Sequence, residues 1–156
     1  MHGNNLPEVG VAHVNRAQVV AEARAWLGTP YHHQASLRGV GTDCLGLVRG
    51  VYRALYEREA EQAPAYSPDW GEASGQETLL EAARRSLVEV SPPRVCNGDV
   101  VVFRMRPGAI AKHAAIMTSA TTMVHAVEGT GTVEVVFAPW WQRKLAGVFS
   151  FPGIDD

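Results

Sequence analysis

Gly41-Thr-Asp-Cys-Leu-Gly-Leu-Val-Arg-Gly-Val-Tyr-Arg-Ala-Leu55 carries the pattern from which the rest of the chain can be read. A glycine-rich loop, Arg38-Gly-Val-Gly-Thr42, runs into an apolar helix on which Leu47, Val48, Val51, Tyr52 and Leu55 recur at helical spacing. The helix is expected to run from about Cys44 to Arg58. Asp43 is a good N-cap residue, which places Cys44 on the first turn. A helix N-terminus offers unpaired N–H groups and partial positive charge, so a cysteine there is expected to ionise easily and act as a nucleophile. The same N–H groups could hold an oxyanion. Gly46 and Gly50 fall four apart on one face, each at a cost of roughly 1 kcal/mol relative to Ala. They predict close approach of another backbone.

Upstream, Asn15 and Gln18 form a capping box for a first helix with Val19, Val20, Ala23 and Leu27 as its stripe and Trp26 beside it. Gly28 ends that helix and Thr29-Pro30 turns the chain. Residues 1–14 read as an extended lead-in. Tyr31 lies close enough before the cysteine to hydrogen-bond into the same site. His32 and His33 sit at the rim of a cleft. Between Ala60 and Ala73 the composition is that of a loop, in which Tyr66 and Trp70 either line a groove or pin the loop down. Ser74 and Glu77 suggest a second capping box for a helix running to about Val88, with Leu79, Leu80, Ala83 and Leu87 inward.

The hydrophobic period then changes from 3.6 to 2. Strands are predicted at Val100–Met105, His113–Thr118, Thr122–Val127, Val133–Phe137 and Leu145–Phe151. Helices first and consecutive strands after predict an α+β fold with an antiparallel sheet of about five strands. At 156 residues, 46% hydrophobic and 19% charged, with a net charge of −2, the chain reads as one domain with its own core. That charge balance argues against nucleic acid as a partner. No run is long enough to insert in a membrane. The N-terminus has no signal-peptide pattern, which predicts synthesis in the cytoplasm. Cys44 and Cys96 make no disulfide framework, and Cys96 reads as an ordinary residue before a turn.

The decisive downstream residues are His113, opening one strand, and His125, on the next. A hairpin turning about Ala120 sets His113 opposite Val127 and Ala115 opposite His125. The two histidines then share a face as diagonal neighbours, roughly 7–8 Å apart at the backbone. That face is expected to look at the Cys44 helix, with the His113 ring between the sulphur and His125. A thiol, an imidazole base and a group orienting it are the parts of a cysteine hydrolase. The same residues with Asp43 would suit zinc, but the chain has no close Cys-x-x-Cys or His-x-x-x-His spacing, so neither metal nor cofactor is called for.

Several spaced motifs agree with one family. Gly28-Thr-Pro-Tyr31, Asp43-Cys-Leu-Gly-Leu-Val48, Gly98-Asp-Val-Val-Val-Phe103, His113-Ala-Ala-Ile116, Met123-Val-His-Ala126 and the closing Trp141-Gln-Arg-Lys-Leu together resemble an NlpC-type papain-like cysteine peptidase of the cell wall. The resemblance implies Cys44 as nucleophile, His113 as base and His125 as the orienting residue. Tyr31 matches a tyrosine set against the cysteine, and Asp43 supports the site as the cap. His32, His33 and Trp70 remain candidates for the substrate cleft. The substrate implied is a peptidoglycan stem peptide, cut between D-glutamate and a diamino acid. The chain most resembles the short forms in tail modules of phages and gene transfer agents. That implies tail proteins as partners and action at the cell wall on a virion or tail. Leu45 departs from the serine many members carry. A catalytically idle tail-tip component and an acyltransferase are the competing readings.

Overall fold

The computed structural model describes residues 13–60, 75–91 and 94–155. Trp70, with Tyr66 and Ser74, lies outside the described residues, as do residues 1–12 of the expected lead-in. In chain order the elements are β1 (Val14–Asn15), α1 (Arg16–Arg24), β2 (Ser36–Leu37), β3 (Gly41–Thr42), α2 (Cys44–Tyr56) and α3 (Thr78–Ser86). There follow β4 (Val88–Val90), β5 (Val100–Phe103), β6 (His113–Met117), β7 (Thr122–Val127), β8 (Gly131–Val136), α4 (Pro139–Gln142), β9 (Leu145–Ser150) and β10 (Ile154–Asp155).

The main sheet has six strands in the order β4-β9-β5-β6-β7-β8, and every neighbouring pair is antiparallel. This is the expected α+β arrangement with one strand more. The added strand is Val88–Val90, where the sequence reading ran the helix on to Val88. The helix stops at Ser86, and two β-branched valines alternating about Glu89 pair with Val148–Ser150 at the sheet edge. Among the described residues there are two further small ladders: β1 runs parallel to β10, and β2 pairs with β3.

Each sheet face has its own apolar layer. On one face, Val100, Val102, Ala114, Ile116, Val124 and Phe149 pack with Leu47, Val48 and Val51 of α2 and with residues of α1 and α3. On the other, Val101, Phe103, Ala115, Met117, Met123 and Val148 pack with Phe137 and Trp141. Strands buried on both sides read as continuous apolar runs, as Val100-Val-Val-Phe103 does.

The capping box on α1 forms as expected: Gln18 N–H donates to the Asn15 side chain at 2.8 Å, and the Gln18 side chain accepts from Asn15 N–H at 2.9 Å. The stripe differs at its end, since Trp26 is buried and Leu27 is 41% exposed. The helix has already given way to a turn there, so helical spacing no longer sets direction. Glu77 also departs from expectation. It stands at the N-cap of α3 rather than three residues inside, and its carboxylate receives Arg104 and the Ala111 N–H.

The two glycines of α2 have different neighbours. A Cβ on Gly46 would overlap the Ala35 carbonyl oxygen, which is the backbone approach expected. A Cβ on Gly50 would overlap the Trp26 indole, a side chain instead. Removing side chains at these positions lets the 32–35 loop and α1 close on α2.

Candidate active site

Asp43 builds the helix half of the site. It is 1% exposed, with one carboxylate oxygen accepting from Gly46 N–H at 2.7 Å and the other from Gln34 N–H at 2.8 Å. The first bond caps α2; the second holds Gln34 with φ at +63°, a conformation costly for a non-glycine residue. His33 turns its Nδ1 to 3.9 Å from the same carboxylate, while His32 is exposed. Adjacent histidines thus part company at an irregular loop, and only His33 approaches the cap.

The Gly46 N–H is taken by Asp43, while the backbone dipoles at Cys44 and Leu45 favour the ionised form of the cysteine sulphur. Leu45 contributes through its backbone, so the absence of a serine side chain leaves this donor in place. The thiol donates to the Lys112 carbonyl oxygen at 3.7 Å, and the Ala114 backbone also bonds the sulphur. Cys44 therefore touches the strand on both sides of His113.

His113 and His125 stand on one face of the sheet, as the predicted register requires. The hairpin pairs Ile116 with Val124 and Met117 with Met123, which continues that register. His113 Nε2 and His125 Nδ1 are 2.8 Å apart. The imidazoles do not look at α2, however. They keep company with Phe103 and Trp141, whereas α2 packs on the face of Ala114, Ile116 and Val124. Odd residues of β6 face away from the helix because side chains alternate. The thiol instead approaches the histidine strand at its start, where α2 presents its N-terminus.

Trp141 is a site residue that the sequence reading used only as part of a motif. Its ring stacks on His113 with centroids 5.6 Å apart and meets His125 edge-on at 5.3 Å. Pro139-Trp-Trp, a proline starting a one-turn helix that carries two large rings, was the available signal. Tyr31 bridges Thr42 beside the cysteine loop. Burial, and then the neighbouring acidic groups Cys44, Asp43 and Glu128, push its phenol up to about 12, so it stays an O–H donor.

The electrostatics weigh against one expectation. Burial pushes the Cys44 thiol up to about 12, with the Asp43 charge adding to it and the backbone N–H groups pulling back. Burial, then His125, brings His113 down to about 3, and burial brings His125 to about 4. The helix N-terminus acts as predicted on the sulphur but is outweighed by desolvation. Both shifts run toward the neutral forms, thiol and imidazole, and so oppose the easy ionisation expected of a cysteine at a helix start. With His113 Nε2 and His125 Nδ1 engaged with each other, no third metal-ligating group joins them among the described residues. Cys96 is an exposed free thiol whose N–H closes a turn onto Asp99.

The chain and its fold have known relatives. The chain is 28% identical over 141 residues to the gamma-DL-glutamyl hydrolase of Bacillus subtilis (strain 168), covering 87% of this chain. It spans only 29% of that relative's length. The NlpC/p60 domain of the peptidoglycan hydrolase SagA superposes with a TM-score of 0.63 at 22% identity, over 88% of this chain and 100% of that one. NlpC2 from Trichomonas vaginalis superposes with a TM-score of 0.60 at 16% identity, covering 92% of this chain and 49% of that one. These likenesses show a shared fold. The NlpC/P60 family model matches residues 28–150, from the turn before Tyr31 to the end of β9, and the chain belongs to the NlpC/P60 family, a family of cysteine peptidases and peptidoglycan hydrolases.

Proposed function

We propose that this protein hydrolyses an amide bond in peptidoglycan stem peptides, with Cys44 as nucleophile, His113 as base and His125 as the residue that orients it. One observation carries the reading: the Cys44 sulphur contacts the backbone on both sides of His113, while the far nitrogen of His113 is held at 2.8 Å by His125. With Nε2 committed to His125, Nδ1 of His113 is the nitrogen left for the sulphur's proton. As the sulphur attacks the carbonyl carbon, the thiol proton passes to His113 and a C–S bond forms. In this reading the Cys44 and Leu45 N–H groups, with the Tyr31 hydroxyl, stabilise the negative charge that develops. Collapse breaks the C–N bond, and His113 returns the proton to the leaving amine. Water, giving a proton to His113, then splits the thioester to a carboxylic acid and the free thiol.

The bond we assign is that between D-glutamate and a diamino acid. The name of the Bacillus relative, a gamma-DL-glutamyl hydrolase, supports it. Likeness of the motifs to short tail-module forms supports delivery on a phage or gene-transfer-agent tail, with tail proteins as partners and the cell wall as the place of action.

A catalytically idle tail-tip component is the second reading, favoured by the burial of Cys44 at 5% exposure, which pushes its thiol up. Mass spectrometry of purified peptidoglycan fragments after incubation separates the two. We expect wild type to release fragments ending at D-glutamate and Cys44→Ala to release none. Unchanged fragments with folded wild-type protein would leave the structural reading standing.

A further inference from the structure

A cavity of about 510 Å³ opens outside the thiol–imidazole group, lined by Arg104, Arg106, Trp140, Arg143, Lys144 and Leu145. Among the described residues its walls carry four cationic side chains and no acidic one, in a chain whose net charge is −2. Such a concentration of one sign in a concave site selects anions. Neither Cys44, Tyr31, His113 nor His125 lines it.

The pocket is also structured. Arg104 is held by Glu77, which cancels one of the four charges and fixes that guanidinium on the rim. Lys144 donates to the Met105 carbonyl at 2.9 Å and sets its ammonium 4.5 Å from the Trp140 ring centroid. Trp140 stands edge-on to Trp141, their centroids 4.8 Å apart, and is still 48% exposed. A large ring fixed by two neighbours, exposed, and bordered by arginines offers two kinds of contact at once. Arginine forks suit the oxygens of a phosphate, and a flat indole suits the apolar face of a sugar.

We propose that this pocket binds a phosphate-bearing sugar, with the phosphoryl group on Arg106, Arg143 and Lys144 and the sugar ring against Trp140. Arg104 follows Phe103, whose strand partner is His113, so the pocket opens at the same end of the sheet as the thiol. It would serve as an anchoring subsite for phosphorylated glycan beside the catalytic group. The proposal does not depend on hydrolysis by Cys44, and either can fail without the other.

The test is an NMR titration of the whole protein, following the Trp140 indole N–H. The probes are glucose 6-phosphate, inorganic phosphate and glucose. Glucose 6-phosphate should give saturable shifts that weaken as salt is added, inorganic phosphate should bind more weakly, and glucose should not bind. The double variant Arg106→Ala/Arg143→Ala should weaken glucose 6-phosphate binding roughly tenfold or more, as expected for lost charge-assisted hydrogen bonds. Trp140→Ala, followed on the Trp141 indole, should erase the preference for glucose 6-phosphate over inorganic phosphate. All three changes are at exposed positions; if the double variant melts early, Arg143→Gln alone is read instead. Linear shifts without saturation, or equal binding in the arginine variants, would overturn the proposal. So would a single-stranded oligonucleotide that displaces glucose 6-phosphate at lower concentration, which would make the pocket a nucleic-acid site.

Discussion

The two halves of the site are built by different means. The helix half is local: Asp43, Cys44, Leu45 and Gly46 are consecutive, and one carboxylate both caps α2 and ties down Gln34. The sheet half is assembled from β6, β7 and α4, with Trp141 covering two histidines that are twelve residues apart. In the proposed reaction the helix half supplies the nucleophile and oriented N–H donors, and the sheet half supplies a dry environment and a proton acceptor. Desolvation is imposed on both, and it raises the thiol and lowers the imidazoles. The difference teaches that the pull of a helix N-terminus on a thiol is opposed by how deeply the sulphur is packed.

The largest expected effect separates two members of the sheet half from each other. His113→Ala removes the group proposed to accept the thiol proton and should lower kcat/KM on a stem peptide by roughly 10²–10⁴. His125→Ala leaves the base but frees its ring, and a smaller loss, on the order of tenfold to a hundredfold, is expected. Steady-state kinetics of the two folded variants decide this. A larger loss for His125→Ala would exchange their roles.

A second measurement compares the helix half with a cysteine outside the site. Cys96 is exposed, Cys44 is buried with its thiol pushed up to about 12. Iodoacetamide should therefore label Cys96 at least about tenfold faster than Cys44 at pH 8, since only the thiolate reacts. The Cys44 rate should still be climbing at pH 10. Peptide mass spectrometry after timed quenching reads both sites in one sample. Faster labelling of Cys44 at pH 6 would restore the preformed ion pair that the helix start by itself suggests.

What could be read in advance follows the same division. Asn15 with Gln18, and Asp43 before Cys44, are contacts within three residues, and the sequence places them correctly. The hairpin register was also accessible, because a turn about Ala120 leaves one pairing that puts both histidines on a face. The sixth strand was hidden because Val88-Glu-Val90 is three residues long and its partner, Val148–Ser150, lies far along the chain. The assignment of the histidine face to α2 failed for a related reason: alternation fixes which residues share a face, but not which layer covers it. Trp141 on His113 and His125 is a contact between α4 and two strands, and no local spacing announces it. The direction of the Cys44 shift is likewise a property of the packed core.

The smallest expected effect concerns folding rather than turnover. His113 is brought down to about 3 and His125 to about 4, both chiefly by burial, while the unfolded chain holds ordinary histidines near 6.5. Above pH 6.5 both rings are neutral in either state, and their full contribution to stability is present. As pH falls below 6.5 the unfolded chain takes up protons that the folded protein refuses, so stability declines. The decline from His125 ends near pH 4 and that from His113 near pH 3. Melting temperatures taken from pH 7 to pH 4 should therefore drop progressively in the wild type. His113→Gln/His125→Gln removes both titrating rings and should drop less over the same range, whatever its absolute stability. The comparison between the slopes is the informative quantity, because carboxylates such as Glu134 contribute equally to both proteins. Parallel slopes would mean that the histidines charge as easily in the folded protein as in the unfolded chain. The sheet half would then be wetter than its packing against Trp141 indicates.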